Sequence, residues 1–128
     1  MPALLAGIAA LLCACGMTQT PFARTSGEIA SEFAAAEETL RLVHADRLTA
    51  AYATSAFATY RVQLEGADRE LAGLDGAPDD ATVRRLVDAY RSAFTAIEAP
   101  CLQASCDWSS QADALGAAGD AFREAAGA

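Results

Sequence analysis

The feature that most constrains this chain is the run of residues 28–65, which contains neither glycine nor proline. Those two residues most often end a helix, and the run consists largely of strong helix formers. Apolar residues recur along it at helical spacing and continue to residue 74. This apolar stripe comprises Ile29, Phe33, Ala36, Leu40, Val43, Leu48, Tyr52, Ala56, Tyr60, Leu64, Ala67, Leu71 and Leu74. The pattern predicts a long first helix.

Two arrangements are compatible with that stripe. With Ser26 as its N-cap and no break before Leu74, the first helix would contain about 48 residues and span about 70 Å, with two shorter helices packed against it. Alternatively, the helix breaks around residues 49–55 and the chain forms a compact four-helix bundle. The absence of glycine and proline favours the unbroken helix, whose uncovered apolar surface would favour self-association.

The second half of the chain predicts two further helices. Residues 75–80, DGAPDD, indicate a turn in which Asp79 or Asp80 caps the next helix, and Pro100 ends that helix. A third segment begins near Trp108 or Ser109. The apolar positions of these two helices are Val83, Leu86, Val87, Tyr90, Phe94 and Ile97, then Trp108, Leu115 and Phe122. Because no segment alternates as a strand does, we predict an all-α fold.

The N-terminal segment points to export. Residues 3–14 carry no charged side chain; about a dozen apolar residues are too few to cross a bilayer, which needs about 20, but they match the core of a signal peptide. The segment ends in Leu12, Cys13, Ala14, Cys15 and Gly16. These residues resemble the lipobox of bacterial lipoproteins, in which an aliphatic residue, a small residue and Ala or Gly precede the lipidated cysteine. The resemblance implies that Cys15 receives a diacylglyceryl group and becomes the mature N-terminus, while Cys13 leaves with the signal peptide.

This resemblance implies an organisation and a location. Residues 1–14 would be the signal peptide, 15–27 a lipidated N-terminus and flexible tether, and 28–128 an α-helical domain. The protein would be held in the cell envelope by its lipid, facing the periplasm or the exterior. The net charge of −8 argues against nucleic acid as a partner and against electrostatic binding to anionic lipid. The two acyl chains would therefore supply the anchor.

A second pair of cysteines predicts a disulfide. In a continuous helix the Cα atoms of Cys101 and Cys106 would lie about 8.6 Å apart, which exceeds the ~7 Å that a disulfide can bridge. Pro100 breaks the helix, and an exported protein favours oxidised cysteines. So small a ring would stabilise the fold by only about 2 kcal/mol, so its expected role is to fix the turn between two helices.

Motifs for catalysis or metal binding are missing from the sequence. It contains no nucleophile elbow, phosphate-binding loop, zinc-protease motif or calcium loop. His44 is the sole histidine and lies at the rim of the apolar stripe, so we expect it to be packed and hydrogen-bonded. Zinc would need four nitrogen or sulfur ligands. We therefore expect no enzyme activity, no metal and no cofactor.

Two functional hypotheses remain. The first is an interaction module that binds an envelope protein or its own copy; it predicts an exposed apolar patch and oligomers. Tyr52, Phe57 and Tyr60 are the candidate partner-binding residues, provided that they face solvent. The alternative is a helical bundle that binds a small apolar ligand, which predicts a closed monomer with a pocket near His44 and the tyrosines.

Overall fold

The computed structural model describes residues 19–127 and contains only helices and their connections over that range. The long helices are α1 (Pro21–His44), α2 (Ala50–Leu64), α4 (Asp80–Glu98) and α5 (Trp108–Gly127). A short helix α3 (Ala67–Glu70) and a 3-10 turn (Leu71–Gly73) follow α2. The all-α prediction is confirmed. Four helices pack together, so of the two arrangements the four-helix bundle is the one observed.

The first and last long helices, α1 and α5, run in opposite directions. The ring of Trp108, at the start of α5, stacks on that of His44, at the end of α1. At the other end of the bundle, Gly27 in α1 lies beside Ala126 near the end of α5. We call the end that contains the first turns of α1 and α4 and the last turn of α5 the entry end. The opposite end contains the connections 45–49 and 99–107, and we call it the disulfide end.

The core lies between the four helices and is centred on three aromatic side chains. The ring of Phe33 lies 5.5 Å from that of Tyr90 and 6.2 Å from that of Phe122, measured between centroids. All three side chains are buried. Helix α2 contributes least to the core, with Ala53, Phe57 and Leu64 as its buried residues.

Helix α1 begins earlier than the sequence predicted. Thr20 is its N-cap, with Thr20 Oγ1 accepting a hydrogen bond from Ala23 N at 3.1 Å, and Pro21 follows in the first turn. Threonine caps and first-turn prolines both favour a helix start, because the threonine satisfies a free N–H and proline lacks one. Ser26, the predicted N-cap, is instead buried within the helix. The flexible tether predicted for residues 15–27 is therefore wrong for residues 21–27, and the helical domain begins at 21 rather than 28.

The unbroken first helix is also wrong, because α1 ends at His44. Asp46 adopts the left-handed conformation with φ of 58°. Arg47 N then donates to Leu42 O at 2.9 Å, and Asp46 N donates to Val43 O at 3.1 Å. This pair of bonds is the Schellman motif, which satisfies the last carbonyls of a helix and reverses the chain.

Helix α2 starts immediately after that motif. Thr49 is its N-cap, and Thr49 Oγ1 accepts a hydrogen bond from Tyr52 N at 3.1 Å. The break therefore occupies residues 45–49 and shares only Thr49 with the 49–55 stretch around which the four-helix alternative placed it. After Leu64, the left-handed Gly66 with φ of 84° separates α2 from α3.

Helix α4 begins and ends where the sequence predicted. Asp79 caps it: Asp79 Oδ2 accepts from Thr82 N at 3.3 Å and Asp79 Oδ1 accepts from the Thr82 hydroxyl at 2.6 Å. These hydrogen bonds from Thr82 hold the pKa of the Asp79 carboxyl below its usual value. The helix ends at Glu98, two residues before Pro100.

One buried hydrogen bond ties α4 to α2. The hydroxyl of Tyr90 donates to Leu64 O, a carbonyl at the end of α2 that has no partner within its own helix. Burial raises the pKa of the Tyr90 phenol, which keeps the hydroxyl protonated as a donor. The bond therefore fixes the end of the least buried long helix against the core.

Candidate functional site

The predicted lipidation site lies outside the residues that the structure describes. This holds for Cys15 and for Cys13. Acylation and cleavage therefore stay predictions. Within residues 19–127, no helix combines the length and the apolar character needed to cross a membrane.

The predicted disulfide is present at the disulfide end. Cys101 and Cys106 are joined, with Cα atoms 5.9 Å apart, well within the range of natural disulfides. This approach is possible because α4 ends at Glu98 and Pro100 lies in the non-helical connection 99–107. Cys101 is only 7% exposed, whereas Cys106 is exposed to solvent.

The Cys101 half of the ring is held by side chains from two helices. His44 Nε2 donates to Cys101 O at 2.7 Å, and Gln111 Oε1 accepts from Cys101 N at 2.7 Å. Gln111 Nε2 donates in turn to Ala99 O at 3.0 Å. The rings of His44 and Trp108 stack with centroids 4.4 Å apart. We call these five residues the disulfide-end network; within it, the expectation of a packed, hydrogen-bonded His44 is confirmed.

The candidate aromatic stripe on α2 does not form. Phe57 is only 2% exposed, because it belongs to the inward-facing set of this helix. Tyr60 is half-buried, contacts Phe57 edge-on and bonds to Thr39 Oγ1 at 2.9 Å through its hydroxyl. Tyr52 alone faces solvent, with 61% of its surface exposed. The three residues therefore do not present one partner-binding surface.

A second exposed apolar residue on α2 does not restore that surface. Val62 is 72% exposed, but it lies ten positions after Tyr52. At about 100° per residue the two side chains point about 80° apart around the helix, and they are about 15 Å apart along it. Single exposed apolar side chains of this kind are common on monomeric proteins.

Two grooves of the described bundle lie away from His44. One, of about 700 Å³, lies at the entry end, where its lining includes Thr20, Phe22, Pro78 and Ala126. Another, of about 480 Å³, lies between α1 and α2 and is lined in part by Glu28, Glu32, Glu65 and Glu70.

The glutamate-lined groove has no metal-binding geometry. Burial raises the pKa of Glu32, which disfavours its charged form. Across residues 19–127, no group of three or more His, Cys, Asp or Glu residues is placed to hold a metal ion. Glu28, Glu65 and Glu70 are exposed and form a solvated acidic surface, whereas Glu32 is partly buried.

Comparison with known proteins identifies no relatives: no family model, curated protein or solved structure matches this chain. Function must therefore be argued from the chain's own residues.

Sequence reasoning found the disulfide but not the network around it. Trp108 was expected in the core, and Gln111 carried no signal at all. Gln111 bonds to Cys101, which lies only ten residues before it, whereas Trp108 meets His44 only because α1 and α5 are antiparallel and in register. No local spacing reports such a contact between helices that are far apart in sequence.

Proposed function

We propose that this chain is a lipid-anchored extracytoplasmic module, held to a membrane through acylated Cys15 and offering its disulfide end to another envelope protein. The observation that carries the proposal is that the N-terminal entry of the chain and the disulfide lie at opposite ends of the bundle. The chain enters the bundle at Thr20, beside Gly76, while the disulfide closes the other end. An anchor at one end leaves the other free for contact.

The distances support this orientation. Cys15 precedes the Thr20 cap by five residues, which can span at most about 18 Å when fully extended. Helix α1 has 24 residues and is therefore about 36 Å long. A lipid on Cys15 would keep the entry end close to the membrane surface. The disulfide end would then lie on the side of the bundle that faces away from the membrane.

The disulfide and the charge support the compartment. Disulfides persist in the periplasm and outside the cell but are rare in the cytosol. With a net charge of −8, the protein is not attracted to anionic lipid, so the acyl chains would have to provide the attachment.

The surface at the disulfide end supports a contact role. Residues 45–47 and 103–107 are exposed and belong to connections that the packed helices hold in place. Exposed connections on a rigid scaffold are where binding functions concentrate. Their exposed residues include Asp46, Arg47, Cys106 and Asp107. This surface replaces the aromatic stripe as the candidate contact surface.

The anchor is tested by labelling cells with a fatty-acid analogue. We expect the wild-type chain to carry the label and to sediment with membranes, because two acyl chains give stable attachment. Cys15→Ala should lose both the label and the membrane association. Measurement is by gel fluorescence and by immunoblotting of membrane and soluble fractions.

Cys13→Ala is the matched control for that experiment, since Cys13 lies two residues from Cys15. It should leave the label in place. Loss of label with Cys13→Ala alone would assign the lipid to the other cysteine. An unlabelled wild-type chain in the cytosol would reject the proposal.

The contact role is tested by co-purification from detergent-solubilised envelopes. Gln103→Arg adds a charge at the disulfide end, and Ser92→Arg adds the same charge on the exposed face of α4. Quantitative mass spectrometry should show partner recovery falling about tenfold with Gln103→Arg, as a loss of about 1.4 kcal/mol would cause. Recovery should be unchanged with Ser92→Arg. Equal recovery from both variants would place the contact surface elsewhere.

A further inference from the structure

We propose that the Cys101–Cys106 disulfide is a reversible redox switch, which reshapes the disulfide end while the four helices stay packed. The consequence for partner contact rests on the proposed function, whereas the opening of the ring does not. Three observations carry the proposal: the unequal exposure of the two cysteines, the closure of their ring within a single connection, and the hydrogen bonds that hold the two ends of the ring independently of the sulfurs.

The two cysteines differ in accessibility. Cys106 lies in the exposed stretch 103–107, whereas Cys101 is 7% exposed. Thiol–disulfide exchange requires a thiolate to reach one sulfur, and its rate depends on that access. Exposed Cys106 is therefore the cysteine at which we expect an incoming thiolate to attack.

The bundle does not depend on this bond for its core. The hydrophobic core cluster of the described residues is formed by helical side chains and by Leu71, and Cys101 does not belong to it. The bond closes a ring within a single connection and crosses no helix interface. Reduction therefore removes a local restraint while the helix contacts persist.

The two halves of the ring have different remaining support. Cys101 keeps its hydrogen bonds to His44 and Gln111 when the sulfurs separate, because those bonds use its backbone N and O. The stretch 103–107 is exposed and is tied to α5 at its last two residues, where Trp108 N donates to Cys106 O at 2.9 Å and Ser110 N donates to Asp107 Oδ1 at 3.1 Å. Opening should therefore leave Cys101 and the start of α5 in place and free the exposed residues between them.

The reaction partner is a dithiol, such as the active site of a thiol–disulfide oxidoreductase. Its first thiolate attacks Cys106 Sγ, forming a mixed disulfide and expelling Cys101 as a thiolate that takes up a proton. Its second thiol loses a proton and attacks the mixed disulfide, which releases Cys106; that sulfur is protonated in turn. The dithiol ends as a disulfide, so two electrons and two protons have passed to this chain.

Trp108 is a built-in reporter of the change. It is the single tryptophan of the chain, its ring stacks on His44, and its backbone N binds Cys106 O. Movement of residues 103–107 alters the surroundings of its indole. Its emission should therefore follow the redox state of the two cysteines.

The experiment titrates the full-length protein, purified in mild detergent, with dithiothreitol buffers of graded reduced-to-oxidised ratio and no denaturant. We expect Trp108 emission to shift in step with alkylation of two thiols, while the far-ultraviolet circular dichroism of the helices is retained. Reoxidation should restore the original emission. Reduction only in the presence of denaturant, loss of the helical signal on reduction, or unchanged emission would each overturn the switch.

A double variant and an anchor variant complete the design. Cys101→Ser with Cys106→Ser should show the reduced-state emission without reductant and should not respond to dithiothreitol; emission like that of the oxidised wild type would count against the switch. Cys15→Ala, combined with Cys13→Ala so that no N-terminal thiol is alkylated, should titrate as the wild type does. A failure of the lipid anchor is therefore distinguishable from a failure of the redox switch.

Discussion

Two buried hydroxyl groups on α1 have opposite hydrogen-bonding environments. Ser26 Oγ is buried and has no hydrogen-bond partner among residues 19–127. Thr39 Oγ1 donates to Ala35 O at 2.8 Å and also bonds to the hydroxyl of Tyr60 at 2.9 Å. A buried polar group without a partner lowers stability, whereas a paired one roughly recovers the cost of its burial. The two positions therefore predict stability changes of opposite sign.

Ser26→Ala should raise the free energy of unfolding by about 1 kcal/mol. The substitution removes the unpartnered hydroxyl and replaces serine with a better helix former, and each effect contributes a fraction of that gain. Urea denaturation followed by circular dichroism measures the change.

Thr39→Val is the matched substitution, because it keeps the side-chain shape and replaces only the hydroxyl with a methyl group. It should lower the free energy of unfolding by about 1 kcal/mol, since Tyr60 then loses a partner. A destabilising Ser26→Ala would mean that the Ser26 hydroxyl is hydrogen-bonded in solution.

At the scale of elements, α4 and α5 could be predicted because their signals are local. Asp79 caps α4 within its first turn, and Pro100 follows its end at short range. The apolar spacing of both helices matches the faces that they bury. Where the cap, the period and the terminator agree, sequence alone defines the element.

The first helix could not be predicted in the same way, because its end uses an uncommon residue. The left-handed position that glycine usually occupies is taken by Asp46, whose short polar side chain tolerates that conformation. A search for glycine and proline therefore passes over the break. The cap at Thr49 is an ordinary one, but threonines are frequent in this stretch and only the preceding motif singles it out.

The candidate site shows the same division between local and distant signals. The disulfide follows from two nearby cysteines and a proline, so spacing was enough to predict it. The burial of Phe57 depends on which face of α2 meets its neighbours, and helical spacing alone fits either the core or the surface. The stacking of Trp108 on His44 depends on the register between α1 and α5, which only the assembled bundle sets.

At the scale of the whole molecule, α1 and α5 pack against each other along the bundle, from the entry end to the disulfide end. The helices come together closely at Gly119, which is buried. A Cβ placed there would lie 3.5 Å from Ala34 N, 3.6 Å from Ala30 O and 3.8 Å from Phe33 Cβ. These are ordinary van der Waals distances, so one methyl group fits. Two of the three neighbours are backbone atoms, so a larger side chain meets atoms that cannot turn aside.

Gly119→Ala and Gly119→Leu should therefore change stability in opposite directions. Alanine adds buried surface and removes the entropic cost of glycine in a helix, which should raise the free energy of unfolding by about 1 kcal/mol. Leucine overpacks the interface and should lower it by about 2–3 kcal/mol. Urea denaturation gives both values. Trp108 emission should shift with Gly119→Leu, because separation of α1 from α5 also disturbs the stack on His44.

Gly116, one turn before Gly119 on α5, separates overpacking from a general effect of removing glycine. A Cβ at Gly116 would meet Glu37 Oε2 at 2.6 Å, but that atom is the end of a flexible, partly exposed side chain that can rotate away. Gly116→Leu should therefore cost less than Gly119→Leu and leave Trp108 emission unchanged. If both leucine variants lowered the free energy of unfolding equally, the effect would come from replacing a glycine on α5. The close approach of α1 to α5 at Gly119 would then not explain it.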